Sequence, residues 1–215
     1  MNTYKIVLFC VVLLFGTCAV NAGPIEKYHL TASNENNFAW FRVAKVGMRT
    51  VLKMLKEAGV KFSVNKSFVP YKAKQYKSHF KFAFVRNPWD RVVSCYCDKV
   101  LKKRYPAFAS CYGKNFSYFV AFINRQNLAN ADRHIKLQTQ LFPHKKVDFI
   151  GRFENFSRDL QYVFKKIGLK NVVIPRMNST DHPHYSTFYD EYTKRIIANK
   201  YKADIEAFDY AFETQ

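Results

Sequence analysis

Two short stretches of this chain carry side chains whose types and spacing suit the binding of phosphate-like anions. In FRVAKVGMRTVLKML (Phe41 to Leu55), Lys45 stands between an apolar run and an amphipathic one, with Gly47, Arg49 and Thr50 just behind it. In FKFAFVRNPWDRVVSCYCDKV (Phe80 to Val100), Arg86 takes the same place and Ser94 follows two helical turns later. A strand that passes through a polar turn into a helix aims backbone N–H groups and the positive end of the helix dipole at one spot, where an anion is stabilised. Gly47 lets the backbone approach such a group closely. Lys45 supplies a cation able to stabilise negative charge growing on a departing group, and Arg86 a guanidinium able to fork onto phosphate. Two such units in one small domain point to a ligand with two separate anionic groups. A nucleoside-triphosphate loop, G-x-x-x-x-G-K-[ST], needs its lysine after the second glycine. Here Lys45 precedes Gly47 and the string occurs nowhere in the chain, which argues against a kinase.

The elements that must hold these residues are legible from periodicity. Phe38 to Val43 reads as a buried strand, and Val51, Leu55 and Ala58 recur at helical spacing before Gly59 supplies a stop. Lys61 to Val64 is predicted as a second strand, residues 70–78 as loop or short helix, and Phe80, Phe82, Phe84 and Val85 as a third strand ending at Arg86. Asn87 and Pro88 form a helix cap and first position, with Trp89, Val92, Val93, Tyr96 and Val100 as the buried stripe and Arg91 anchoring the helix. Further on, a helix is expected over Phe116 to Asn124 and a strand over Val147 to Gly151. Ser157 is expected to cap a helix that Gly168 ends, and Tyr189 to Tyr210 to be mostly helical. Strands alternating with helices imply an α/β domain with a central parallel sheet of about four or five strands, helices on both faces. Ligands in such sheets bind beyond the C-terminal strand ends, where Lys45 and Arg86 fall.

Both stretches resemble the sulfotransferases that use 3′-phosphoadenosine 5′-phosphosulfate (PAPS), in particular the carbohydrate branch of the secretory pathway. The likeness runs from about Phe38 to Phe212, with FVRNPWDRVVSCY its most specific string and GRFENF (Gly151 to Phe156) a later landmark. It implies that Lys45 is catalytic and contacts the sulfuryl group and its bridging oxygen. It also implies that Val46, Gly47, Met48, Arg49 and Thr50 wrap the 5′-phosphate. Relatives often carry Thr or Ser where this chain has Met48 and Arg49; Arg49 remains a charged donor, and Met48 offers only its backbone. Arg86 and Ser94 match the 3′-phosphate ligands. Arg152, beside Glu154, either reaches the nucleotide or holds its loop by a salt bridge, and Arg176, Asn178 and Ser179 resemble a late loop closing over the nucleotide. A histidine is the natural general base. His134, in DRHIKLQTQL, best matches a segment that relatives carry between these landmarks, while His182 and His184 are placed to touch acceptor and His79 is structural. No isolated acidic residue stands out as an alternative base. The activity implied is transfer of a sulfuryl group from PAPS to a hydroxyl, on a carbohydrate rather than on a protein tyrosine, by in-line displacement without metal. A secreted basic module that binds polyanions without catalysis is the competing reading.

Charge and cysteines bound the context. The formal net charge is +19, which implies polyanionic partners. Nucleic acid is the commonest such partner but a secreted enzyme meets little of it; a nucleotide donor and an anionic glycan would exert the same selection, and composition alone does not choose between them. Lys66, Lys72, Lys74, Lys102, Lys103 and Lys136 fall in segments expected to meet the acceptor. Lys5, the apolar run from Ile6 to Val20 and small residues before Gly23 read as a signal peptide over 1–22. Retention of that segment as a membrane anchor is the alternative. A short extension (23–37) and a single domain (38–215) follow, working in the secretory pathway, secreted or in the Golgi lumen. Past the leader, Cys95, Cys97 and Cys111 are an odd set, in which Cys111 is able to bridge to one of the other two. No metal-ligand spacing occurs. Asn65, Asn115, Asn155 and Asn178 head N-x-[ST] strings.

Overall fold

The computed structural model describes residues 26–170, 172–174 and 182–214. Its centre is a five-stranded sheet in the order β3-β1-β2-β4-β5. The strands are β1 (Lys27–Ser33), β2 (Phe38–Phe41), β3 (Val64–Pro70), β4 (Phe80–Val85) and β5 (Phe149–Arg152). Pairing of β2 with β4 and of β4 with β5 is parallel, as the alternating pattern predicts. β1 runs antiparallel to both β2 and β3, so the sheet is mixed rather than parallel. The segment expected to be an extension ahead of the domain therefore supplies a strand. Leu30 and Ala32 are fully buried in it, but Thr31 and Ser33 are buried too, so it lacks the polar and apolar alternation that marks a half-exposed strand. The strand expected from Lys61 begins later, at Val64, and sits on the sheet edge.

Helices flank this sheet. α1 (Met48–Glu57) and α4 (Phe156–Lys166) share its core through Val51, Leu55, Leu160 and Val163. α2 (Pro88–Cys95), α3 (Phe116–Arg125) and α5 (Glu191–Lys200) gather a second cluster around Val93, Phe119 and Ile197, and α6 (Lys202–Phe208) follows α5. The Asn87 side chain accepts from the Trp89 N–H with Pro88 in the first position, as the sequence predicts. α4 starts two residues earlier than expected, at Phe156 with Asn155 in the cap position, so Ser157 lies inside it. Cys95, Cys97 and Cys111 are all free thiols, so the bridge considered from Cys111 is absent. The parallel strands all end at one edge, and the turns after them carry the candidate residues.

Candidate functional site

β2 leaves the sheet at Phe41 and turns through Ala44 and Lys45 into α1. Lys45 and Gly47 both take left-handed backbone conformations, with φ of 72° and 80°. Glycine takes such a φ freely, whereas a lysine does so at a cost of about 1–3 kcal/mol, a strain found mainly at functional turns. A side chain at position 47 is also excluded by space, since its Cβ would lie 2.6 Å from Phe156 Cε2. The turn therefore packs against the start of α4, and the first turn of α1 holds no acidic residue to compete for an anion.

A cavity of about 670 Å³ opens over this turn, lined by Lys45, Gly47, Met48, Arg49 and Thr50 from the first unit, Arg86 and Ser94 from the second, and His134 and His182. Val46 is the exception within its string, because its side chain is buried in the sheet core and only its backbone remains for a ligand. Arg86 is almost fully buried. Its guanidinium forks onto Asp90 at 2.7 and 2.8 Å, donates to the Lys45 carbonyl at 3.3 Å and lies 4.2 Å from the centre of the Phe153 ring. Arg86's own backbone is gripped by the Gln138 side-chain amide, which accepts from its N–H and donates to its carbonyl. Asp204 in turn receives the Gln138 and Thr139 amides at 2.7 and 2.9 Å.

Lys45 points its ammonium at Asp98, 2.7 Å away, and Lys99 meets the same carboxylate at 3.2 Å. Asp98 sits in a π-helical turn (Tyr96–Leu101) that continues α2. Wide turns of this kind often mark functional sites. Burial raises the Asp98 pKa, but the two lysines more than offset that, holding it well below the carboxylate range. For Lys45 burial is the larger influence and lowers its pKa, while Asp98 opposes the shift. The close contact keeps the pair ionised at neutral pH.

His134 is buried at the cavity wall, and its Nδ1 lies 2.7 Å from Asp132 Oδ1. The other Asp132 oxygen accepts from Tyr105 Oη at 2.8 Å. Burial lowers the His134 pKa and Asp132 counteracts it, so the ring is held neutral with Nε2 as the nitrogen left for proton transfer. Sequence reading found no acidic residue here, yet Asp98 and Asp132 both belong to the site's charge network. Asp90 carried the one readable signal, four residues after Arg86 on a helix start. The contact between Lys45 and Asp98 spans 53 residues and left none.

Other expected residues fall elsewhere. Arg152 is outside the cavity: it donates to the Phe208 carbonyl and covers the Tyr210 ring, holding the C-terminal segment to β5. Glu154 also serves structure, accepting from the Asn87 N–H and Tyr210 Oη. Arg91 anchors as expected, donating to the carbonyls of Ala44, Arg133 and Lys136. His79 pairs with Asn34 at the far end of its strand. His184 caps a short turn at Ser186 and does not line the cavity. Arg176, Asn178, Ser179 and the leader lie outside the described residues.

The model of the sulfotransferase family matches residues 28–211. An uncharacterised protein of Archaeoglobus fulgidus is 33% identical over 114 residues, covering 52% of this chain and 87% of its own length. Carbohydrate sulfotransferase 11 of Rattus norvegicus and that of Mus musculus are each 25% identical over 182 residues, covering 69% of this chain and 52% of theirs. The chain thus spans about half the length of those mammalian relatives. No solved structure gives a significant match.

Proposed function

This chain belongs to the sulfotransferase family, and on that premise we propose that it moves a sulfuryl group from PAPS to a carbohydrate hydroxyl by in-line displacement. The observation that carries the reading is the convergence of Lys45, the start of α1, Arg86, Ser94 and His134 on one cavity. On this reading Arg86 and Ser94 hold the 3′-phosphate, and the first amides of α1, with Arg49 and Thr50, hold the 5′-phosphate. His134 takes the acceptor hydroxyl's proton at Nε2 as the new oxygen–sulfur bond forms, with Asp132 fixing the ring and stabilising the resulting cation. Lys45 faces the oxygen whose bond to sulfur breaks and stabilises the electron pair left there. To do so its ammonium must exchange Asp98 for the donor. The basic surface and the mammalian relatives' printed name support an anionic glycan as acceptor. With the leader pattern they also support work in the secretory pathway.

The first test is thermal stabilisation by 3′,5′-adenosine bisphosphate. At about a hundred times Kd, binding adds about 2.7 kcal/mol, or roughly 5–10 °C in Tm for a chain of this size. Stabilisation by heparin alone would instead favour a polyanion-binding module. Transfer of labelled sulfate to a glycan panel, run beside an acidic tyrosine-containing peptide, then identifies the acceptor. Labelling of the peptide alone would overturn the carbohydrate assignment.

A further inference from the structure

Beside the cavity, at the sheet edge, two buried side-chain nitrogens without a partner lie next to an exposed aromatic residue. The N-terminal half of β1 and the C-terminal half of β3 reach the same end of the sheet as Lys45, since Leu30 pairs with Phe41 and Lys27 with Pro70. The β1–β3 register shifts between Tyr28 and Leu30. On the facing strand Phe68 takes φ 55° and leaves its ring 66% exposed. For a bulky residue this backbone is a true outlier, of the kind retained where function requires it.

The Phe68 ring lies 4.6 Å from the imidazole of His29, which is 5% exposed and whose Nε2 has no partner among the described residues. Arg42 joins it from β2's end: its N–H donates to the His29 carbonyl at 2.8 Å and its Nη2 to the Lys66 carbonyl at 2.6 Å, while its Nε is buried without a partner. The third member, Arg133, lines the cavity. Arg91 fixes it there, donating to the Arg133 carbonyl at 2.9 Å and to the Ala44 carbonyl at 3.1 Å. Burial depresses His29 to about 4, helped by the charges of Arg133 and Arg42 against that of Asp132. Arg42 is depressed by burial and then by Arg133. Among the described residues neither Arg42 nor Arg133 has an ion-pair partner; the Arg133 side chain bonds Tyr105, and the nearby Asp132 is committed to His134 and Tyr105. The unpartnered Arg42 and His29 nitrogens therefore call for a polar partner from outside the described residues.

We propose that this surface is an anchoring subsite for an anionic sugar unit of the acceptor, in which Phe68 supports the ring's apolar face and Arg42, with Arg133, binds its carboxylate or sulfate ester. A guanidinium fork matches either oxyanion, and an aromatic face suits the C–H side of a pyranose. Because the cluster adjoins His134, an anchored unit holds a neighbouring sugar's hydroxyl at the base. The inference rests on the sulfotransferase reading of the cavity.

The test measures Kd of the full chain for three hexasaccharides. One is an unsulfated chain of alternating glucuronate and N-acetylhexosamine, the second is the same chain with its carboxylates reduced to alcohols, and the third is the reduced chain carrying sulfate esters. Wild type should bind at least one charged form about tenfold or more tighter than the reduced form, and which form it prefers identifies the oxyanion. Arg42→Gln and Phe68→Ser should each lose about tenfold of that affinity while keeping the Kd for 3′,5′-adenosine bisphosphate. Lys202→Gln, on an exposed face of α6, should change neither. Should Arg42→Gln fail to fold for want of its Lys66 contact, the exposed Phe68→Ser decides alone. Equal affinity for charged and reduced forms, or wild-type affinity in the folded variants, overturns the subsite. If wild type does not bind the nucleotide yet the charged-sugar preference and its loss persist, the subsite stands and the sulfuryl-transfer reading falls.

Discussion

The charge pairs at the cavity set how activity should respond to single substitutions and to pH. Lys45→Ala removes a cation needed most in the transition state, so kcat should fall about 10²–10³-fold with a smaller change in donor affinity. Arg86→Ala should instead weaken 3′,5′-adenosine bisphosphate binding by about 10–150-fold, the equivalent of roughly 1.5–3 kcal/mol for a charged hydrogen bond. Calorimetry on the two variants separates the roles, and unchanged behaviour in both would remove the assignment. His134 must be neutral to accept a proton, and burial lowers its pKa below the free value of 6.5. On the proposed role, kcat/KM should therefore rise with pH along an acid limb whose midpoint lies below that value. Asp132 raises the His134 pKa, so Asp132→Asn should move the acid limb to lower pH while reducing the plateau. The alkaline limb belongs to Lys45, whose charge Asp98 supports, and Asp98→Asn should draw that limb to lower pH. A profile with both limbs unmoved in these variants would assign the titrations to other groups.

At the scale of elements, the turn between β2 and α1 depends on one contact between helices. Gly47 combines φ 80° with a Cβ position 2.6 Å from Phe156, whereas Gly59 combines φ 73° with open space. Gly59→Ala should thus cost about 1 kcal/mol of backbone strain, and Gly47→Ala more, about 2–4 kcal/mol, because α1 and α4 must also separate. At about 2–4 °C per kcal/mol, a thermal melt distinguishes them. Phe156→Leu should return part of the loss in the Gly47→Ala background and none in Gly59→Ala. Equal melting temperatures for the two glycine variants would mean that the contact with Phe156 is not limiting.

Over the whole molecule, the described residues are held together by two buried clusters, with no cross-link among them. The three thiols among the described residues are free, and burial pushes Cys95 up to about 12. Adding reductant should leave Tm unchanged, and peptide mapping after iodoacetamide should show Cys95 alkylated only when the protein is unfolded. A Tm lowered by reductant would require a disulfide that is absent among the described residues.

The sequence by itself determined what local pattern encodes. The β2–α1 and β4–α2 units, the Asn87 cap and the places of Lys45, Arg86 and Ser94 all follow from side chains within a few residues of one another. Parallel order among β2, β4 and β5 followed from their alternation with helices. Only the tertiary structure decided the rest. β1 joins the sheet although its buried Thr31 and Ser33 break any alternation, because their neighbours in the fold, and not their polarity, make burial tolerable: Thr31 Oγ1 donates to Asn65 and Ser33 Oγ to Asn36. Arg152 matched a landmark string, yet the C-terminal segment folds back over β5 and takes its guanidinium away from the cavity. Asp98 reaches Lys45, and Asp132 aims His134, across spacings that carry no periodic signal. Long-range electrostatic partners are chosen by the path of the chain through space, and residue type alone does not disclose that path.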